Sequence, residues 1–308
     1  MRPSPRRVSS SRALAASLLG GLLLLVSAGP AAATWSIVGV DPDTGEVGVA
    51  VASCVSFNVA SVPVLVPGRG AAASQAALNE DSGDPIVAGL EEGLTAAEVI
   101  ERLTAADVDP EASTRQYGVV TLDGTAAGHT GADDDPVALD LQNADATASA
   151  QGNILVAEAV VADTLAAFDD AQGALADRLL AALTAGSEAG GDSRCGEETA
   201  NSAALIVARP GDPVWNSTEL VPGGDVTSLA TPSVYVAVIN RGSNPIPALV
   251  AGYQDNRADD GSVAYSEGRS SLESIVRGTL LVGLGVVVLG VLVALMLVAW
   301  RMLRRRGA

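Results

Sequence analysis

One histidine, two cysteines and no lysine leave this chain few routes to acid–base, metal or nucleophilic chemistry. His129 is the sole imidazole, so a Ser-His-Asp triad would have to use it, and the chain holds no G-x-S-x-G elbow. Its plainer role is that of a hydrogen-bonded structural histidine at a strand end; site lining is the alternative. One histidine and two cysteines cannot assemble a multi-ligand zinc or iron site, so metal chemistry is disfavoured and no cofactor is expected. Cys54 and Cys195 are an even pair, which in an exported protein more often forms a disulfide than a catalytic thiol; two unpaired thiols are the competing state. The bridge would close a loop of about 140 residues, worth up to ~4–5 kcal/mol in the chain-entropy account. It would also tie Cys54 to the loop Gly190-Gly191-Asp192-Ser193-Arg194.

The two ends of the chain set its compartment. Four arginines within residues 1–12, an uncharged Leu/Ala run from Ala13 to Ala28, the Gly29-Pro30 break and the small residues Ala31 and Ala33 have the layout of a signal peptide. Cleavage after Ala33 would make Thr34 the first mature residue, with cleavage after Ala28 or Ala31 and an uncleaved anchor as alternatives. Thr279 to Trp300 is uncharged and rich in Leu, Val and Gly; at ~1.5 Å per residue it covers a hydrocarbon core of ~30 Å, as a single transmembrane helix. Arg301, Arg304, Arg305 and Arg306 follow it, and the positive-inside bias puts the C-terminus in the cytoplasm and the body outside the cell membrane. The bilayer is thus one expected partner.

Between these ends, residues 34–276 carry 9 arginines against all 36 acids, a formal charge of −27. Such a body does not bind nucleic acid. Trp35 to Val40 and Glu46 to Ala52 flank the turn Asp41-Pro42-Asp43-Thr44-Gly45 as a hairpin, and Val62 to Val66 and Gly70 to Gln75 repeat the pattern. A helix runs from Pro85 to Gly93, and Thr95-Ala96-Ala97-Glu98 is a capping box heading another to about Ala106. Tyr117 to Leu122 and Thr125 to His129 make a further hairpin. Helices are predicted near Ile154 to Asp169 and Ala174 to Ser187, strands at Ser202 to Arg209 and Val234 to Ile239, and a last helix over Pro245 to Tyr253. Gln254 to Ser274 lacks apolar rhythm and reads as a stalk. The expected organisation is signal peptide 1–33, ectodomain 34–254, stalk 255–278, transmembrane helix 279–300 and basic tail 301–308. Strand pairs alternating with helix pairs predict an α+β fold, a four-layer αββα sandwich, rather than a doubly wound parallel sheet.

The blocks TWSIVGVDPDTGEVGVAVAS from Thr34, GVVTLDGTAAGHTG from Gly118, QGNILVAEAVV from Gln151 and GGDSR from Gly190 resemble the bacterial domain of unknown function 1028 family (DUF1028). The resemblance runs from Thr34 to about Tyr253 and implies an N-terminal-nucleophile (Ntn) hydrolase-like fold. The signal peptide, an insertion from Asn216 to Ser233, the stalk and the anchor depart from that family's pattern.

The resemblance implies amide hydrolysis by the residue that export exposes. A new α-amine at Thr34 titrates near ~7.7–8.0, so part of it is neutral at pH 7 and takes the hydroxyl proton as Oγ1 attacks a carbonyl. The bland alternative is an ordinary threonine at the start of a strand. Gln151 and Asn153 carry amides suited to donating to an oxyanion, and Gly152 lets backbone approach closely; Asn153 serves equally well as a helix N-cap. Arg194 is too basic to replace the lysine of proteasome-type relatives, but it suits a substrate carboxylate or the ordering of a neighbouring acid; with Asp192 it forms either a site pair or a loop ion pair. The expected substrate is a small amide or peptide-like molecule, and self-assembly into a homo-oligomer fits such sheets. A non-catalytic surface module that binds cationic ligands is the competing function.

Overall fold

The computed structural model describes residues 34–134, 137–216, 234–243 and 245–270. The expected signal peptide, transmembrane helix and basic tail, and most of the 216–233 insertion, lie outside the described residues. Among the described residues no helix is long and apolar enough to cross a membrane.

Among the described residues the fold is mixed α+β, with two sheets and five helices. Strands β1 (Thr34–Asp41) and β2 (Glu46–Ser53) pair antiparallel from Thr34 opposite Ser53 to Asp41 opposite Glu46. The Asp41 carboxylate closes their turn by accepting from the amides of Asp43 and Thr44. β3 (Pro63–Val66) and β4 (Gly70–Ala76) follow, and then helices α1 (Gly83–Glu92) and α2 (Ala96–Thr104). Gly93 ends α1 in the left-handed region at φ 77°, where a side chain would be strained. The capping box at Thr95 forms as its sequence predicts. β5 (Arg115–Thr121), β6 (Thr125–Thr130), β7 (Leu139–Gln142) and β8 (Ala148–Asn153) come next, followed by α3 (Ala159–Asp170) and α4 (Leu175–Glu188). β9 (Ser202–Ala208), β10 (Val236–Gly242), α5 (Pro245–Asp255) and β11 (Val263–Ser270) complete the described chain.

The larger sheet has the order β11-β10-β9-β2-β1-β8-β7, and the smaller β3-β4-β5-β6. Three apolar cores separate the elements. Trp35, Ile37, Ala50 and Ala52 point from the larger sheet to Phe168, Leu179 and Leu183 of α3 and α4. Val38, Val40, Val49 and Val51 point the other way, to Leu65, Ala71 and Val120 of the smaller sheet. Ile86, Leu90, Val99 and Leu103 of α1 and α2 cover that sheet's far face. Because β1 and β2 are covered on both faces, they read as largely apolar runs rather than as strict alternation.

Two expectations need correction. The helix expected from Ile154 begins only at Ala159, and the preceding residues form β7 and β8. Their Ser, Asp, Gln and Asn content has low strand propensity, but pairing of β8 with β1 and inward hydrogen bonds outweigh it. The second concerns the stretch expected to be a stalk. Val263–Ser270 within it is strand β11, paired parallel with β10 after the α5 crossover, and Val263 is fully buried.

Candidate active site

Side chains two apart on a strand share a face, so Thr34 and Ser36 point with Val38 and Val40 into the space between the sheets. Register sets Thr34 between Ser53 of β2 and Asn153 of β8, all three on that face. Trp35, buried beneath α4 with its Nε1 donating to the Leu183 carbonyl at 3.4 Å, anchors the start of the strand. The Thr34 hydroxyl donates to Ser53 Oγ at 3.2 Å, and Thr34 is 2% exposed.

Below this row runs a buried polar chain. Ser149 Oγ donates to Gln151 Oε1 at 3.0 Å, Gln151 Nε2 to Ser36 Oγ at 2.6 Å, and Ser36 Oγ to Gln75 Oε1 at 2.6 Å. Gln75 Nε2 in turn donates to the Thr34 carbonyl at 3.3 Å and to Gln116 Oε1 at 2.8 Å. Asn153 Nδ2 donates to the same Gln116 oxygen at 3.1 Å, while the Gln116 amide is shared among Thr130 Oγ1, Leu139 O and Gly152 O. Gly118 makes room for this: a methyl group there would collide with the Gln151 amide. One atom is left over. Asn153 Oδ1 is buried with no hydrogen-bond partner, beside Thr34 in register. Leaving a buried amide oxygen unpaired costs ~1–3 kcal/mol, a cost that favours sites awaiting a ligand or donor.

Backbone strain gathers at the same rim. Ala76 (φ 72°), Ile154 (φ 51°) and Thr199 (φ 57°) occupy the left-handed region, which β-branched residues seldom enter. Ala76 ends the strand that carries Gln75, Ile154 follows Asn153, and Thr199 accepts from the Asp192 amide at 3.1 Å. Such outliers cost ~1–3 kcal/mol each and cluster at functional sites. A cavity of about 10 Å³ opens against Thr34, Ser53, Val55, Phe57 and Gln75, enough for roughly one water.

Of the residues singled out in the sequence, Thr34, Gln151, Gly152 and Asn153 are brought together, though Gln151 lies one inward repeat deeper and its amide holds the chain of hydrogen bonds. Asn153 caps no helix, since α3 starts at Ala159. Asp192 is fully buried and accepts from the Cys54 amide at 2.7 Å, the Arg194 amide at 2.9 Å and Arg194 Nη2 at 2.9 Å. Asp192 and Arg194 therefore form the loop ion pair, which braces Cys54 beside Ser53. Cys54 and Cys195 form a disulfide, with Cα atoms 5.6 Å apart. His129 pairs with Tyr117 on the helix-covered face of the smaller sheet, turned away from Thr34, and its Nε2 lies 2.9 Å from the Ala112 carbonyl oxygen. Nearby, burial raises the Asp140 carboxyl despite the Gln142 hydrogen bond and the His129 charge.

Ser36, Ser53, Gln75 and Gln116 were not anticipated. Their signal was present: each is a polar residue on an inward strand face whose other members, Thr34 apart, are Ala, Val and Gly.

A model for a family of unknown function, DUF1028, matches residues 34–224. The crystal structure of a DUF1028 protein from Silicibacter pomeroyi is similar to this chain with a TM-score of 0.58 and 26% identity, covering 74% of this chain and 91% of the other. No curated protein matches.

Proposed function

The chain belongs to the DUF1028 family, and from that membership and the Thr34 rim we propose that it is an exported amide hydrolase of the N-terminal-nucleophile kind, built on the four-layer αββα sandwich of that class. The carrying observation is that Thr34 starts β1 between Ser53 and Asn153, over a buried amide chain and beside the unpaired Asn153 oxygen. Removal of residues 1–33 frees the amine. The amine then takes the Oγ1 proton as the hydroxyl adds to an amide carbonyl, and passes it to the leaving nitrogen; water hydrolyses the resulting ester. The second Nδ2 hydrogen of Asn153 and backbone amides steady the oxyanion. Asn153 Oδ1 accepts from the new ammonium or amine. The apolar segment Thr279–Trp300 anchors the body outside the cell membrane, the substrate is a small or peptide-like amide, and copies associate through their sheets.

One observation favours a second reading. The cavity against Thr34 holds about one water, and a non-catalytic ligand-binding module would keep the fold without needing a larger site. N-terminal sequencing of protein purified from membranes separates the two: the hydrolase requires Thr34 first. Thr34→Ala is expected to abolish amide turnover while leaving the thermal midpoint within a few degrees of the parent. A mature chain that retains residues before Thr34, or turnover unchanged in the variant, would overturn the enzyme.

A further inference from the structure

A second, larger cavity of about 420 Å³ opens on the helix-covered side of the smaller sheet, between the Leu78–Ser82 turn and the Val108–Glu111 loop. Its volume lies within the ~300–1,000 Å³ usual for small-molecule sites. The residues identified by sequence do not line it, and Thr34 is not among its walls.

Its floor is a closed polar cluster. Asp109 is 4% exposed and accepts from Asn79 Nδ2 at 3.1 Å, Arg115 Nε at 2.9 Å and the Glu111 amide at 2.9 Å. Arg115 also donates to the Ala77 and Leu78 carbonyls and to Glu111 Oε2 at 3.1 Å. Four of the five guanidinium N–H groups are thus directed at carboxylates and carbonyls. At the rim, the Asp81 carboxylate and the second oxygen of Glu111 face solvent, so the cavity carries three acids against one base. Its wall is apolar: Pro85, Leu103, Pro110 and Val108, the last 47% exposed. Behind the floor, the Tyr117 hydroxyl on a fully buried ring makes no hydrogen bond, although it approaches Asn79 and lies in the fields of Asp109 and Arg115.

From this geometry we propose that the cavity is a binding site for a small organic cation with an apolar body, its ammonium group between Asp81 and Glu111 and its alkyl part against Val108, Leu103 and Pro110. The site is independent of the Thr34 chemistry. It is separated from the Thr34 cavity by the short segment Ala76–Leu78, which Arg115 clamps through two carbonyls.

The test is calorimetric titration of the full chain, carried in detergent, with n-butylammonium, 1-butanol and butyrate, together with hydrogen exchange to locate the contact. Saturable n-butylammonium binding is expected, with protection confined to residues 77–85 and 103–115. Affinity should fall roughly tenfold in Asp81→Asn/Glu111→Gln, two exposed changes that leave the Asp109 floor intact. Butanol should bind more weakly and butyrate not at all, and Thr34→Ala should bind as the parent does. Absence of saturable n-butylammonium binding, equal affinity in the double variant, equal binding of butanol or butyrate, or protection elsewhere would each overturn the site. An inactive Thr34 with intact cation binding would sink the hydrolase alone.

Discussion

Gln116 is the residue on which the polar interior converges. Its carboxamide oxygen receives Gln75 and Asn153, and its amide serves Gly152 O, Leu139 O and Thr130 Oγ1. Replacing it by leucine keeps the volume but takes a partner from two buried carboxamides and two backbone carbonyls, at a cost of ~1–3 kcal/mol for a group left unpaired. We expect Gln116→Leu to lower unfolding free energy by at least ~2 kcal/mol, read from the urea midpoint, and to loosen Asn153 beside Thr34. A midpoint unchanged from the parent would mean that water replaces the lost partners. Thr34 was a candidate from the Ala31-Ala32-Ala33 pattern that precedes it, because a cleavage pattern is local in sequence. Gln116 shows in the sequence only as a polar residue on an inward strand face; its importance arises from β4, β6, β7 and β8 meeting around it, and a run such as RQYGVV does not record which strands those will be.

At the scale of elements, local signals succeeded wherever the chain makes its own hydrogen bonds. The Asp41–Gly45 turn, the Thr95 capping box and the Gly93 helix end all form as their sequences predict. They failed for β8 and β11, which pair with β1 and β10 across long stretches of chain, and for β7, which pairs with the nearby β8 but has a polar sequence of low strand propensity. The Ala105–Arg115 connection carries an acid-sensitive device that no local pattern announces. Burial raises the Asp109 carboxyl, but Arg115, the Glu111 amide and Asn79 outweigh it and hold it below its usual range. A carboxyl depressed in the folded state stabilises fully above its unfolded value near ~3.9 and loses that contribution as pH falls through the lower folded value. The thermal midpoint of the parent is therefore expected to fall more steeply below about pH 4 than that of Asp109→Asn, and parallel acid slopes would contradict this.

For the whole molecule, the covalent tie is the Cys54–Cys195 disulfide, which spans 141 residues and joins the end of β2 to the loop braced by Asp192. The even cysteine count made the pair visible in the sequence, whereas the role of Asp192 in seating Cys54 emerges only from the fold. Cys195→Ser is expected to lose ~2–5 kcal/mol of stability, and the parent treated with reductant should match the variant. A reductant-insensitive parent would show that the bridge contributes nothing.

The capture of Val263–Ser270 as the last strand of the larger sheet shortens the leash. Only residues 271–278 remain between Ser270 and the apolar segment from Thr279. Fully stretched at ~3.3–3.6 Å per residue, they reach less than about 30 Å, against roughly three times that for a stalk beginning at residue 255. Under the membrane anchor proposed above, so short a connector would hold the body, with its heavy negative charge, against the lipid headgroups, where cations gather.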